Sequence, residues 1–341
     1  MSQSLELSVP RQSKLSTTTC QRIVFEEFDR KREVGTVVVQ SDLTQPKLRA
    51  VVTGHVVNKA PLCPSALYAD MALTVADHLY KELRPDSAPV GMNVTSVEVH
   101  KPLAAQVPPP NDGQHLQMEA TADLKRGEVA ITVRSVTWDG KITQEHGNGT
   151  VKYEDVQQWL EEWRTKEFLV QGQIDLLEQK LAAGMAHKFL RGLAYKLFTA
   201  LVDYSPKYQG MEDVVLDAEE KQAVAKIRLQ TTAADGDFFC SPYYIDNMCH
   251  LSGFLVNAAD LSDDPLVYIS HGWRSMKIAR QPTPEKEYRA YVKMLPYANN
   301  IFSGDVYVLE GTEIVAVFED CKFQGLSRRL MNVLLPLSQK K

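Results

Sequence analysis

The sequence predicts an α+β protein whose two halves repeat one plan, in which a curved antiparallel sheet wraps around a central helix. Alternating apolar and polar residues, as in 116–124, indicate strands. One apolar stretch at helical spacing interrupts the strands in each half, at Pro64–Leu83 and at Pro242–Ala259. This order of elements occurs twice along 341 residues, and an apolar helix needs a sheet to cover it. The predicted fold is a double hot-dog, and nothing favours a parallel sheet.

The first half is predicted to consist of strands around one helix. The strand segments are Arg22–Phe28, Gly35–Gln40, Leu48–Val57, Met92–His100, 116–124, Val129–Trp138 and Lys141–Tyr153. Pro64 and Ser65 indicate the start of the helix, since proline is tolerated in a first helical turn. Asp139-Gly140 predicts a hairpin turn, and the segment 107–112 (VPPPND) predicts a loop.

The second half repeats this order after a stretch of helical periodicity from Glu154 to Val202. Its predicted strands are Val214–Leu216, 225–229, Leu266–Ile278, Tyr288–Leu295, Asp305–Leu309 and Glu313–Phe323. We therefore predict a first hot-dog repeat at 1–153, a helical bridge at 154–205 and a second repeat at 206–341. The two repeats are expected to act together as one catalytic unit.

Composition and missing motifs exclude several classes of function. With 38 basic and 43 acidic residues the chain lacks the basic footprint of a nucleic-acid binder. It has no apolar run approaching 18 residues and no secretory signal, so we expect a soluble cytoplasmic protein without a membrane segment. Five scattered cysteines predict neither a disulfide framework nor a zinc site. Dinucleotide and nucleotide-triphosphate motifs are missing, so we expect no cofactor or metal of its own.

General acid–base chemistry remains, and it needs only a histidine and a carboxylate. His55 lies in the segment 54–64 (GHVVNKAPLCP), where a predicted strand meets the apolar helix, and the preceding Gly54 permits close backbone approach. Asp246 interrupts the apolar helix of the second half, where an unpaired carboxylate is costly. His250 follows four residues later, so the two form either a structural pair or part of a site.

Other reactive residue types are expected to be ordinary. His78, His115 and His146 lie beside polar or loop residues and are predicted to be on solvated faces. Cys63 and Cys249 lie in apolar helical contexts and are predicted to be buried, unreactive thiols.

The motifs His55-x8-Pro64 and Asp246-x3-His250 resemble the paired motifs of polyketide synthase dehydratase domains, which are double hot-dogs. The segment 204–211 (YSPKYQGM) is similar to their Y-G-P-x-F-Q-G segment. The chain resembles still more the product template domains of fungal non-reducing polyketide synthases, through 15–18 (LSTT), 20–23 (CQRI), 54–71, 203–211, 245–248 (IDNM) and 323–326 (FQGL). Two residues depart from the pattern: Lys59 stands where glycine is usual, and His271 where some relatives have asparagine.

This resemblance implies a cyclase of secondary metabolism, excised from a larger synthase. Its substrate would be a linear poly-β-ketone held on the phosphopantetheine arm of an acyl carrier domain, and its reaction regioselective aldol cyclisation and aromatisation. The resemblance makes His55 the general base and Asp246 its partner. The residues expected to bind substrate or support the pair are His250, His271, Asn58 and Pro64. Expected partners are the carrier domain, the other synthase domains and a second copy in a homodimer.

Two other functions stay open. One is a dehydratase that acts on β-hydroxyacyl-carrier thioesters. The other is an inactive double hot-dog that serves for docking or dimerisation.

Overall fold

The computed structural model describes residues 15–199, 201–258, 266–298 and 300–334. The helices are α1 Pro46–Thr53, α2 Ser65–Leu83, α3 Val156–Ala182, α4 Arg191–Phe198, α5 Pro242–Cys249, α6 Leu251–Ala258 and α7 Arg328–Leu334. The first strands are β1 Arg22–Asp29, β2 Val34–Asp42, β3 His55–Val57, β4 Ala60–Pro61, β5 Gly91–Val99, β6 His115–Asp123, β7 Glu128–Val136 and β8 Ile142–Glu154. The remaining strands are β9 His187–Leu190, β10 Val202–Tyr204, β11 Met211–Asp217, β12 Gln222–Arg228, β13 Val267–Ser270, β14 Trp273–Ile278, β15 Glu287–Lys293, β16 Leu295–Ala298, β17 Ile301–Glu310 and β18 Glu313–Leu326.

Fifteen strands in the described residues form one continuous antiparallel sheet. Its order is β1-β2-β6-β7-β8-β5 in the first half and β14-β18-β17-β15-β12-β11-β9 in the second, with β13 on β18 and β16 on β17. The halves join where Trp273 pairs with Val97 and Ser275 with Thr95. The strands β10, β3 and β4 form a small second sheet, which brings the start of the first half's helix against the second half.

Each half encloses an apolar helix. Helix α2 packs on β2, β5 and β6 and buries Leu67, Met71 and Leu79 completely. Helix α6 packs on β12, β13 and β15 and buries Leu251 and Leu255. Each such side chain contributes roughly 1.5–3 kcal/mol by leaving water, so the two helices stabilise the two halves of the large sheet. The predicted double hot-dog is confirmed, as is the predicted central helix of the first half.

The predicted strand Leu48–Val57 is wrong over most of its length. Residues 46–53 form α1, with Pro46 at its first position, and only 55–57 are a strand. Leu48, Val51 and Val52 are the buried residues of this helix, at i, i+3 and i+4. So short an apolar run does not distinguish helix from strand by its periodicity.

The predicted helical stretch from Glu154 to Val202 contains two helices separated by β9. Helix α3 ends where Gly184 takes a φ of +74°, and the Met185 N–H donates to the Lys180 carbonyl at 2.8 Å. Strand β9 then pairs with β11 at the edge of the sheet. The division into repeats at 1–153 and 206–341 with a bridge at 154–205 stays a proposal.

One predicted helix and one predicted strand are each interrupted in the structure and form two shorter elements. The helix predicted at Pro242–Ala259 consists of α5 and α6 with His250 between them, and Ala259 lies outside the described residues. The strand predicted at Leu266–Ile278 is β13 and β14, separated by Gly272 at a φ of +100°. None of the helices described is both long and apolar enough to cross a membrane.

Candidate active site

A cavity of about 450 Å³ is lined by residues of both halves. Among the lining residues are His55, Leu62, Cys63, Pro64, His100, Pro102, Phe198, Tyr204, Asp246, Cys249, His250, Gly253, Tyr268, Ser270, His271, Trp273, Phe323 and Met331. Four of these are exposed, and they place the mouth between the loop after β5 (His100, Pro102) and the turn after β13 (Ser270, His271). Most of the wall is apolar, so a bound molecule would be largely removed from water.

His55 is held where α1 ends and β3 begins. His55 pairs with Tyr204 of β10, and β10 lies in the segment that leads into the second half. The Ser205 N–H donates to the Gly54 carbonyl at 2.8 Å, and a Cβ on Gly54 would lie only 2.5 Å from the Ser205 Oγ. The close backbone approach expected at Gly54 is therefore confirmed, and a larger residue there would push β10 away from His55.

The hydrogen bonds of His55 fix which ring nitrogen is free. Its Nδ1 lies 3.2 Å from the Leu62 carbonyl oxygen, which can only accept, so Nδ1 carries the proton of the neutral ring. Nε2 then has a free lone pair. Burial lowers the pKa of His55 below its ordinary value, and the negative charge of Asp246 opposes that shift. The ring is therefore a neutral base at neutral pH.

Asp246 is the carboxylate of the cavity. It lies on α5, is 9% exposed, and its Oδ2 is 3.1 Å from Nδ1 of His250. A carboxylate only accepts, so His250 donates from Nδ1. The predicted Asp246–His250 pair is confirmed in geometry, and both residues border the cavity.

Tyr204 packs against both histidines and was not among the predicted site residues. Its ring centroid lies 5.4 Å from that of His55 and 5.0 Å from that of His250. Burial first, and then the charge of Asp246, raise the pKa of Tyr204 well above its ordinary value, so its hydroxyl keeps its proton. The sequence contained an indication of this, because Tyr204 is the first residue of the segment 204–211 that resembles the Y-G-P-x-F-Q-G segment.

The remaining predicted site residues lie in different places. Pro64 borders the cavity just before α2, and His271 is exposed at its mouth. Asn58 is not among the residues that line the cavity; its side chain donates to Asn332 of α7 at 2.9 Å. It instead forms, with Lys59, the tight turn between β3 and β4. The roles assigned to these residues stay predictions.

Two of the cysteines that line the cavity are less buried than expected. Cys63 and Cys249 are only partly buried, whereas Cys321, which also lines the cavity, is buried. Burial raises the pKa of Cys63 to about 12 and that of Cys249 well above its ordinary value. Both are therefore thiols rather than thiolate nucleophiles at neutral pH. Among the residues described, no group of three His, Cys, Asp or Glu side chains is arranged to hold a metal ion.

The prediction of solvated faces for three histidines is wrong. His115 and His146 are buried, and His78 is half-buried beside Phe28. His146 finds partners for both ring nitrogens, Ser135 Oγ at 2.7 Å and the Lys101 carbonyl at 3.0 Å. Each lies outside the cavity, where neighbouring strands or loops cover it.

Two family models match the chain. One, described as a polyketide synthase dehydratase domain, matches residues 29–136. The other, described as a polyketide synthase dehydratase N-terminal domain, matches residues 177–331.

Curated relatives match nearly the whole chain but only a small part of their own length. The non-reducing polyketide synthase Preu8 of Preussia isomera is 57% identical over 97% of this chain and 15% of that protein. The non-reducing polyketide synthase PKS1 of Zymoseptoria tritici is 52% identical over 95% of this chain and 15% of its own length. A conidial pigment polyketide synthase of Pestalotiopsis fici, PfmaE, is 41% identical over the same shares. This chain thus spans about 15% of these relatives.

Solved structures share the fold at low sequence identity. The dehydratase domain of the polyketide PpsC from Mycobacterium tuberculosis has a TM-score of 0.65 and 16% identity, and covers 92% of this chain and 99% of its own. The dehydratase domain of RzxB from Pseudomonas fluorescens also has a TM-score of 0.65 and 16% identity, covering 90% and 98%.

Proposed function

Because this chain belongs to the polyketide synthase dehydratase-like double hot-dog domains and matches one segment of fungal non-reducing synthases, we propose that it is a product template cyclase. Its reaction is the regioselective aldol cyclisation and aromatisation of a carrier-bound linear poly-β-ketone. The observation that carries the proposal is that one cavity receives a neutral histidine from the first half and a carboxylate from the second.

His55 is suited to begin the reaction. A methylene between two carbonyls is acidic enough for a neutral imidazole to remove its proton, and Nε2 of His55 has the lone pair for it. The enolate carbon then bonds to a distant carbonyl carbon, and the oxygen of that carbonyl takes the proton back from the His55 imidazolium. Asp246 stabilises the imidazolium that has formed, because opposite charges attract strongly where water is excluded. General-base help of this kind contributes roughly 10²–10⁴-fold.

The second step is loss of water, which makes the ring aromatic. Neutral His55 removes the remaining proton of the carbon that formed the new bond and delivers it to the departing hydroxyl, so that a C=C bond forms as the C–O bond breaks and His55 returns to its neutral form. Folding the chain is as important as proton transfer, because a free poly-β-ketone closes in several ways. The apolar wall of the cavity, with Phe198, Trp273 and Phe323, would hold one methylene against one carbonyl.

The mouth suits a substrate delivered on an arm. It lies between His100 and His271, and we assign it to the phosphopantetheine of an acyl carrier domain. The carrier itself and the other domains of the parent synthase are the partners that this requires.

The test is His55→Ala supplied with a carrier-bound poly-β-ketone. The aromatic product should fall by 10²-fold or more, roughly, and spontaneous pyrones should replace it. His78→Ala, which removes a half-buried histidine outside the cavity, is the matched control and should keep the product profile. An unchanged aromatic product from His55→Ala would overturn the proposal.

A dehydratase acting on β-hydroxyacyl-carrier thioesters is the second candidate, favoured by the two dehydratase family models. Turnover of a hydroxyacyl thioester separates the two functions, since a template domain should ignore a reduced substrate. If the chain bound the carrier but changed neither substrate, it would be an inactive docking module.

A further inference from the structure

A hydrogen-bond chain runs from Asp246 away from the cavity and ends at a residue that no motif indicated. Asp246 Oδ2 lies 3.1 Å from His250 Nδ1, and His250 Nε2 lies 3.0 Å from the hydroxyl of Tyr195 on α4. Tyr195 is 5% exposed and is not among the residues that line the cavity. It therefore cannot act by touching a substrate there.

The hydroxyl of Tyr195 has two other partners, and they determine how its proton is used. The Met211 N–H donates to the Tyr195 oxygen at 3.0 Å, and the Tyr208 carbonyl oxygen lies 3.2 Å from the hydroxyl. A hydroxyl has one proton to donate and two lone pairs. Because Met211 takes one lone pair, the proton can point either to His250 or to the Tyr208 carbonyl.

These two directions match the two charge states of His250. When the ring is neutral, Nδ1–H donates to Asp246, and Nε2 accepts from the Tyr195 hydroxyl. When the ring is charged, Nε2–H donates to the Tyr195 oxygen, whose proton then points to the Tyr208 carbonyl. No heavy atom has to move between the two arrangements, and the His250 ring and the Tyr195 hydroxyl keep a partner in both.

We propose that Tyr195 is a positioning residue, which holds the His250 ring and through it the Asp246 carboxylate in either charge state of the ring. The titratable groups that face the His250 ring are Asp246 on α5, Tyr195 on α4, Tyr204 on β10 and His55 on β3. The consequence for catalysis rests on the proposed function: Asp246 stays fixed while the charge on His55 changes during the reaction.

Tyr195→Phe tests this, because it keeps the ring and removes the hydroxyl. The His250 ring loses the partner of its Nε2 in either charge state, so its Nδ1 proton, which bonds to Asp246, should exchange with solvent at least about tenfold faster in NMR. With a carrier-bound poly-β-ketone, kcat should fall about 10-fold with KM within twofold, as expected when a hydrogen bond to a charged group is lost. Tyr153→Phe is the matched control: it removes a hydroxyl that donates to the Ala76 carbonyl at 2.7 Å in the first half and should change neither value.

A double variant separates positioning from a merely structural effect. If Tyr195 acts through His250, Tyr195→Phe should lower kcat no further in a His250→Gln background, and the melting temperatures of the two backgrounds should fall alike. An equal loss of kcat in both backgrounds, or an unchanged exchange rate of the His250 Nδ1 proton, would overturn the proposal. The exchange measurement needs no substrate, so it decides the point even if the chain catalyses no cyclisation.

Discussion

Each half places an aspartate in the first turns of the helix that its sheet encloses or borders, and the two aspartates lie in different environments. Asp70 of α2 lies in Tyr68-x-Asp70-Met71, and Asp246 of α5 lies in Tyr244-x-Asp246-Asn247-Met248. Asp70 is fully buried and is not among the residues that line the cavity, whereas Asp246 is 9% exposed and borders it. The same local string therefore gives two environments.

Asp70 connects three segments. Thr19 Oγ1 donates to one of its oxygens at 2.5 Å, and the Cys240 N–H donates to the other at 2.8 Å. Thr19 precedes β1, and Cys240 lies two residues before the helix that carries Asp246. The first half's aspartate thus fixes the start of the second half's helix. The two aspartates differ in what the neighbouring segments supply. Asp70 receives a backbone N–H and a hydroxyl as donors, whereas Asp246 receives a histidine and borders the cavity.

The segments that lead into the two helices differ as well. The first half enters α2 through the hairpin of β3 and β4, which presents His55 to the cavity. The second half enters α5 through 229–241, which contains no histidine. Each half therefore supplies one member of the His55–Asp246 pair, and neither half has both.

Exchanging each carboxylate for an amide tests the comparison most strongly. Asp246→Asn should lower aromatic product formation by roughly 10²-fold or more, because the imidazolium of His55 loses its counter-charge. Asp70→Asn is the matched control and should keep activity within about twofold, since an amide oxygen can accept from Cys240 and an amide N–H can donate to Thr19. Single-turnover assays with a carrier-bound poly-β-ketone measure both. Equal losses in the two variants would mean that the aspartates do not have separate tasks.

Asp70 should make the free energy of unfolding depend on pH. Burial raises the pKa of Asp70 to about 7, against 3.8 for a free carboxyl, so the folded protein holds its proton more tightly than the unfolded chain does. The stabilisation is therefore full below pH 4 and is lost as the pH rises from about 4 to 7. The loss should be on the order of 2–4 kcal/mol in the free energy of unfolding.

Urea unfolding of the wild type and of Asp70→Asn across this range measures the effect. The amide does not titrate. The free energy of unfolding of the wild type, relative to that of Asp70→Asn, should therefore fall as the pH rises from about 4 to 7. Parallel curves would show that Asp70 has the same charge in the folded and the unfolded protein. Burial would then not distinguish the charge of Asp70 from that of an ordinary carboxylate.

The long elements could be predicted because their pattern is long. Helix α2 repeats apolar residues over 19 positions, and β6 alternates over nine, so neither is ambiguous. Helix α1 has only eight residues, and its buried Leu48, Val51 and Val52 equally resemble part of a strand. Short segments take their structure from tertiary packing, which a local pattern does not contain.

The site was predictable only in part, for a similar reason. Asp246 stood out because a carboxylate in an apolar helix needs an explanation, and His250 follows from helical spacing. That His55, 191 positions earlier, shares their cavity came from family resemblance and not from any local pattern. Tyr195 gave no signal, because an aromatic residue on the apolar face of a helix usually packs in a core. Its role depends on the ring nitrogen that the fold places 3.0 Å from its hydroxyl.

The smallest expected effect concerns the hairpin that only the first half has. Asn58 and Lys59 both take left-handed conformations, with φ of +49° and +66°. Asparagine tolerates this region, but lysine pays about 1–2 kcal/mol there. Lys59→Gly relieves that strain and loses about 0.5–1 kcal/mol to the greater freedom of the unfolded chain. We therefore expect stability to rise by at most about 1.5 kcal/mol, with cyclisation unchanged, in urea unfolding and product assays.

Lys59→Ala is the matched control for this prediction, since it removes the long side chain and keeps the Cβ that causes the strain. It should give no gain. If alanine and glycine stabilised the protein equally, the lysine side chain and not the backbone would be the cause. If instead glycine stabilised the hairpin but shifted the product profile, the strained turn would set the position of His55. In that case the first half would maintain the strain in order to present the base, a requirement that the second half, which supplies only the carboxylate, does not have.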